Sequence, residues 1–172
     1  YFQGVYAAGN GDAVILKFSN TGVQIWATYY GGSGNEGGAS IRTDLSGNAF
    51  VIGTTSAASI NFPVLNPLGG AYFQGAFGGG TYDAFILKFN NSGVRIWATY
   101  YGGSKDEEFG TYNNIVIDRC NNVYLSMNTA SVNMPVQPSC GASFYDSSFN
   151  GGTSDIFVSK FTNAGICLWA TY

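Results

Sequence analysis

The least regular acidic residues of the chain are Glu36 and the run Asp106, Glu107 and Glu108, and both stand in Gly-containing segments. GGSGNEGG around Glu36 aligns with GGSKDEEFG around the acidic run. Oxygen-rich loops of this kind can hold Ca²⁺, which takes about six to eight oxygen ligands. The spacing fits neither an EF-hand nor a nonapeptide calcium repeat. A solvated loop is therefore the alternative to a Ca²⁺ site.

Two tyrosines, Tyr30 and Tyr101, precede these acidic segments. Tyrosine can form an aromatic platform for a sugar or a partner protein, and it is also a common strand residue that packs in a core. We therefore treat Tyr30, Tyr101 and the acidic residues as one candidate ligand-binding set, with packing as the alternative for the tyrosines.

Histidine is absent. Its absence excludes His-assisted nucleophilic catalysis, His metal sites and the usual general base near neutral pH. Most of the other carboxylates recur with a repeat, whereas an acid–base pair needs two unlike environments. A lyase or glycosidase is thus disfavoured, and we expect no enzyme. The recurring acids are Asp12, Asp83 and Asp155 before equivalent strands, with Asp44 and Asp118 in turns.

The three cysteines fall in the last third of the chain. Cys120 lies in a predicted turn and Cys140 in a long insertion, and a disulfide between them would pin that insertion. Cys167 would then be unpaired or bonded to a cysteine elsewhere. Three cysteines without histidine do not suggest a zinc site.

Charged residues make up only 10% of the chain, and the net charge is −3 with seven Lys and Arg. No basic stripe is present for a nucleic acid to bind. No apolar run is long enough to span a membrane. Solubility then depends on Asn, Ser, Thr, Tyr and Gly, which is more typical of extracellular proteins than of cytosolic enzymes.

The segments that would position these candidate residues are repeated along the chain. Trp26, Trp97 and Trp169 recur at intervals of 71 and 72 residues, as do the three aspartates that precede strands. The opening YFQG resembles the end of a purification tag, but it returns at 72–75 with the same distance to the next Asp and Trp. We therefore interpret YFQG as native sequence within a repeat.

Each period predicts two hairpins. DAFILKF and VRIWATYY are aromatic and β-branched runs separated by NNSG, and SIRTD and NAFVIGTT flank LSG. In the run 84–89, Phe85, Leu87 and Phe89 form one face, while Ala84 and Ile86 form an apolar opposite face. A sheet that is apolar on both sides must be covered on both sides. Repeated four-stranded antiparallel sheets of this kind predict β-propeller blades in an all-β protein.

The joined pattern of DAFILKFNNSGVRIWATYYGGS, an acidic loop, SIRTDLSGNAFVIGTT and NFP resembles the bacterial β-propeller repeat family known as SBBP. The resemblance covers essentially the whole chain. It implies a propeller within a large secreted or cell-surface bacterial protein, some members of the family carrying a type IX secretion sorting tail. One departure is the long insertion between the second and third strands.

The repeat predicts about two and a half blades. Residues 1–30 would be the second half of a blade, 31–101 a complete blade with an insertion at 61–82, and 102–172 another with an insertion at 133–154. Propellers close with about four to eight blades, so the ring would be incomplete. Its partners would be further blades of a longer chain or identical copies.

The functional expectation is a non-enzymatic structural or adhesive scaffold, part of a surface assembly or appendage. The alternative is a propeller that binds surface carbohydrates or proteins through its acidic and aromatic inter-blade loops. No cofactor other than the Ca²⁺ considered above is expected.

Overall fold

The computed structural model describes residues 2–110, 114–141 and 143–172, which form antiparallel β-sheets without any helix. The first sheet pairs β1 (Ala13–Phe18) with β2 (Gln24–Tyr30). The second has the order β3 (Glu36–Thr43), β4 (Ala49–Ser56), β5 (Tyr82–Phe89), β6 (Arg95–Tyr101). The third has the order β11 (Cys167–Thr171), β10 (Asp155–Phe161), β9 (Val123–Thr129), with β7 (Glu107–Glu108) and β8 (Ile115–Ile117) both pairing with β9. The prediction of an all-β protein is confirmed.

The hairpin turns are held by polar side chains at their first residues. Asp44 Oδ1 accepts hydrogen bonds from the backbone N–H groups of Ser46 and Asn48, both at 2.9 Å, as the sequence predicts. Asn90 Oδ1 plays the same part between β5 and β6. There Gly93 has φ of 82°, a left-handed conformation that glycine adopts without steric cost.

The second sheet lies between the other two sheets. Phe85, Leu87 and Phe89 of β5 pack in a cluster with residues of the first sheet, including Ile15 and Tyr30. The opposite face of β5 contributes to a second cluster that extends into the third sheet. The predicted cover on both faces of β5 is therefore present. Buried members of the second cluster include Ala84, Ile86, Leu125, Met127, Phe157 and Phe161.

The long insertion between β4 and β5 crosses to the far edge of its own sheet. Leu65 and Gln74 each form a bridge to β6, at Ala98 and Tyr100. The insertion after β9 does the same, with Gln137 bridged to Ala170 of β11. These segments cover backbone groups that an edge strand would otherwise expose.

The YFQG segments belong to these crossings. The backbone N–H of Gln74 donates to Thr99 Oγ1 at 2.8 Å, and that of Gln3 donates to Thr28 Oγ1 at 3.0 Å. Tyr72 N–H donates to the carbonyl oxygen of Gly165, in the turn between β10 and β11 of the third sheet. The YFQG segments therefore take part in the hydrogen bonding of the fold. Tyr1 itself lies outside the described residues.

Candidate functional site

Each junction between consecutive sheets carries one buried glutamate. Glu107, the first residue of β7, is fully buried, and its Oε2 accepts a hydrogen bond from Gly103 N–H at 2.9 Å. Its Oε1 accepts bonds from the hydroxyls of Thr129 and Ser131, both at 2.7 Å. Glu107 therefore anchors the GGS loop from inside the protein and does not face solvent.

Asp83 converges on the same point from β5. A Cβ on Gly102 would lie 2.4 Å from Glu107 Oε2 and 2.9 Å from Asp83 Oδ1, so the two carboxyl groups meet where this glycine leaves room. Asp83 is fully buried, and its Oδ2 accepts a hydrogen bond from Gly78 N–H. Its Oδ1 is buried with no hydrogen-bond partner among the described residues.

The electrostatics of this pair favour a retained proton. Burial raises the pKa of Asp83 to about 7; the hydrogen bond from Gly78 opposes that rise, and the nearby charge of Glu107 adds to it. Burial also raises the pKa of Glu107, against the hydrogen bonds from Ser131 and Thr129. A proton on Asp83 Oδ1 would turn a buried acceptor without a partner into a donor beside Glu107. The arrangement is therefore suited to a structural role in which Asp83 keeps its proton beside Glu107.

The first junction repeats this geometry. A Cβ on Gly31 would lie 2.4 Å from Glu36 Oε2 and 2.7 Å from Asp12 Oδ1. Glu36 is buried and accepts hydrogen bonds from Gly32 N–H and the Thr55 hydroxyl. Comparison of the repeats within the sequence identified Glu36 and Glu107, and separately Asp12 and Asp83. It did not indicate that each glutamate lies beside an aspartate, although both recur with the same period.

Burial changes the interpretation of most of the candidate ligand-binding residues. Tyr30 and Tyr101 are fully buried in the two core clusters, where Tyr101 contacts Phe157 and Phe161 edge-on. Together with Glu36 and Glu107 they are closed to a ligand from solvent, so their assignment to a binding surface is corrected. The reason is that the neighbouring sheet covers the face on which each of them lies.

The remaining candidates, Asp106 and Glu108, line an open polar cleft of about 270 Å³. Asn128 and Thr153 are on its walls. Asp106 Oδ1 accepts hydrogen bonds from the N–H groups of Thr81 and Tyr82, so part of its bonding capacity holds the loop. Glu108 is exposed.

A second repeated constellation joins the sheets through lysine, asparagine and tryptophan. Lys17 Nζ donates to the carbonyl oxygen of Asn91 in the next sheet at 2.9 Å, and Lys88 Nζ donates to that of Asn163 at 2.9 Å. Trp26 lies 3.0 Å from the Cβ position of Gly93. The recurring lysines and tryptophans were visible in the sequence, but the hairpin asparagines that accept their bonds were missed.

The predicted Cys120–Cys140 disulfide is wrong for this structure, in which all three cysteines are free. Cys120 lies in the β8–β9 turn. Cys140 follows Gln137, which bridges to β11 at the other edge of the sheet. Strands β9 and β11 are separated by β10, and neighbouring strands lie about 4.8 Å apart. Gln137, three residues before Cys140, therefore lies on the far side of β10 and β11 from the strand that follows Cys120.

Residues 2–110, 114–141 and 143–172 contain no cluster of three or more His, Cys, Asp or Glu side chains arranged to hold a metal ion. Over the same described ranges, no helix is long and apolar enough to cross a membrane. Comparison with known proteins finds no family model and no curated sequence that matches the chain. The SBBP resemblance therefore depends on the quoted motifs alone.

Proposed function

We propose that the chain is a segment of a secreted or cell-surface β-propeller that acts as a non-enzymatic structural or adhesive scaffold. The observation that carries the proposal is β5, whose two apolar faces pack against the sheets of the preceding and the following repeat. Repeated four-stranded sheets stacked face to face are the architecture of propeller blades. Further repeats of a longer chain, or other copies, would extend the stack.

The placement of the carboxylates supports a non-enzymatic role. Asp83 and Glu107 are buried and hydrogen-bonded to loop backbone or hydroxyls, and the half-buried Asp12 and the buried Glu36 occupy the same positions at the first junction. A general acid or base must reach its substrate within hydrogen-bond distance. A pair that recurs at successive junctions and faces the interior is suited to holding sheets together.

A glycan array and a calcium titration test the scaffold proposal. We expect the purified chain to bind no glycan and to show the same melting temperature with and without millimolar Ca²⁺. Saturable binding to a sugar, or a Ca²⁺-dependent rise in melting temperature, would overturn it and favour a ligand-binding propeller.

The cleft at Asp106 and Glu108 is the surface that this second candidate function would use, because it is open and polar and lies beside a sheet junction. Under this alternative, Glu108→Gln would weaken glycan or protein binding at least tenfold, since a hydrogen bond to a charged group contributes about 1.5–3 kcal/mol. A control substitution away from the cleft, Lys17→Gln on the first sheet, should leave such binding unchanged.

A further inference from the structure

The contact between the second and third sheets places a lysine amine against an asparagine amide. Lys88 Nζ donates hydrogen bonds to the backbone carbonyl oxygen of Asn163, at 2.9 Å, and to its side-chain Oδ1. Because a carbonyl oxygen is bonded to its carbon at about 1.2 Å, the amine lies beside Cγ of the side-chain amide. The terminal torsion of asparagine is soft, so a rotation of the amide plane turns Cγ toward the amine. The contact therefore joins a nucleophile and an electrophile.

A carboxylate holds the other end of the same amide. Asp44 Oδ2 accepts a hydrogen bond from Asn163 Nδ2 at 2.8 Å. Nδ2 is the nitrogen that would leave if the amine attacked Cγ, so Asp44 is placed to give it a proton. The other oxygen of Asp44 is fixed in the β3–β4 turn by the N–H groups of Ser46 and Asn48.

Two of these three groups are shielded from water. Lys88 and Asp44 are 7% and 8% exposed, and Asn163 is half-buried. Lys88 Nζ lies 5.0 Å from the centre of the Phe50 ring, and the buried Trp97 packs edge-on against that ring. Burial lowers the pKa of Lys88, and the charge of Asp44 opposes this change. The amine is thus neutral more often than that of an exposed lysine, and only a neutral amine has the lone pair that attack requires.

We infer that Lys88 and Asn163 react to form an isopeptide bond, with Asp44 as the proton carrier, so that a covalent cross-link joins the second and third sheets. The reaction needs no oxidant and no cofactor, because it exchanges one amide bond for another. This activity goes beyond the scaffold function proposed above and does not depend on it.

The atoms balance as follows from the neutral amine. Nζ attacks Cγ, the Nζ–Cγ bond forms, and the C=O electron pair moves onto Oδ1. Nζ and Nδ2 are then bonded to the same carbon, which brings both within reach of Asp44; its carboxylate takes a proton from Nζ and passes it to Nδ2. The Cγ–Nδ2 bond breaks, the carbonyl forms again, and ammonia leaves. The proton that Lys88 lost on becoming neutral ends on this ammonia as ammonium.

The pair between the first and second sheets has the amine and the amide without the carboxylate. Lys17 Nζ donates to the backbone oxygen and to Oδ1 of Asn91 in the same way. Lys17 is only half-buried and Asn91 is exposed. Among the described residues, no carboxylate accepts a hydrogen bond from Asn91 Nδ2. This pair should stay unlinked and serves as an internal control.

Intact-mass spectrometry of the purified chain tests the cross-link. After incubation at about pH 8, where more of the amine is neutral, we expect a species lighter by one ammonia than the sequence requires. Trypsin cleaves after lysine and arginine, and a linked Lys88 resists it. The digest should therefore contain a peptide of residues 43–95 joined to 161–172, with cleavage after Lys17 unchanged.

Three substitutions separate the roles. Lys88→Arg keeps the positive charge but removes the nucleophile, so no mass should be lost. Asp44→Asn keeps a side-chain acceptor for the turn, as Asn90 does between β5 and β6. It should slow the loss at least about a hundredfold, since general acid–base catalysis contributes about 10²–10⁴-fold. Lys17→Arg makes the matched change in the unlinked pair and should lose ammonia at the unaltered rate.

A chain that keeps its full mass while circular dichroism shows it to be folded would overturn the inference. An ammonia loss that persists in Lys88→Arg would overturn it too, because the ammonia would come from another asparagine. Equal rates in Asp44→Asn and the unaltered chain would contradict the role of Asp44. Chain of full mass is the unreacted species, and the stability of the hydrogen-bonded pair is a property of that species. Binding of glycan or Ca²⁺ does not alter these masses, so the scaffold proposal is tested separately.

Discussion

Replacing Asp83 with asparagine should change how the stability of the protein depends on pH. Asp83 is fully buried, and burial raises its pKa to about 7 from an ordinary value of about 3.9. Between these two values the folded protein holds a proton that the unfolded chain releases. The free energy of unfolding therefore falls by up to about 1.4 kcal/mol per pH unit across this window.

The sign follows from which state binds the proton more tightly. A raised folded-state pKa contributes stability that is fully present below about pH 4 and is lost as pH rises through about 7. The total loss is at most about 4 kcal/mol, since each pKa unit corresponds to about 1.4 kcal/mol. Because Glu107 interacts with Asp83, the apparent pKa belongs to the pair.

Asp83→Asn mimics the protonated acid at every pH. Its oxygen can accept the Gly78 N–H, and its amide can donate toward Glu107 Oε2. We expect the variant to match the unaltered protein near pH 4 and to exceed it by about 2–4 kcal/mol near pH 8.5. Urea unfolding followed by tryptophan fluorescence at several pH values measures the difference.

Glu108→Gln is the matched control, because it removes one exposed carboxylate next to Glu107. Its stability curve should run parallel to that of the unaltered protein. If the Asp83→Asn curve also runs parallel, or if the variant is less stable at pH 8.5, Asp83 is not the group that holds the proton and the reasoning about the pair fails.

Three further predictions concern packing, the inter-sheet lysines and the thiols. Gly53→Ala should destabilise the protein by more than about 3 kcal/mol in urea unfolding, because the added Cβ would lie 2.1 Å from a backbone oxygen. At Gly37 the atom nearest to an added Cβ is 3.8 Å away, so Gly37→Ala should be tolerated. In the same assay, Lys88→Met should lower the free energy of unfolding by about 2 kcal/mol and Lys17→Met by under about 1 kcal/mol, because of these two lysines only Lys88 is buried. Equal losses of stability in the two variants would contradict this prediction. Two cysteines are exposed, Cys120 and Cys140. A thiol reagent at pH 8 should modify both at least tenfold faster than Cys167, which is half-buried with its pKa raised by burial to about 11; non-reducing peptide mapping that found a bridge would refute this.

The sequence predicted the strands and turns because these depend on local patterns. Asp44 fits a turn through hydrogen bonds to residues two and four positions ahead, which are near in any chain with this turn. The two apolar faces of β5 follow from side chains alternating along a strand. Both features are set within one hairpin, so the repeat and the all-β architecture could be predicted without tertiary information.

The candidate site could be predicted only in part. The sequence located Glu36, Asp106, Glu107 and Glu108 in junction loops, but it did not distinguish buried from exposed carboxylates. That distinction depends on which face the neighbouring sheet covers. It leaves Glu108 in the open cleft and places Glu107 in the interior, one residue away.

Composition and period by themselves determined an all-β repeat without histidine chemistry, since these properties need no knowledge of the neighbours of any residue. Only the tertiary structure decided that the carboxyl groups of Asp83 and Glu107 approach each other at Gly102 and that Cys120 and Cys140 are not bonded. The physical reason is that desolvation, the Coulomb interaction between two carboxyl groups and the formation of a disulfide depend on distances between segments far apart in sequence, and the stacking of sheets sets those distances.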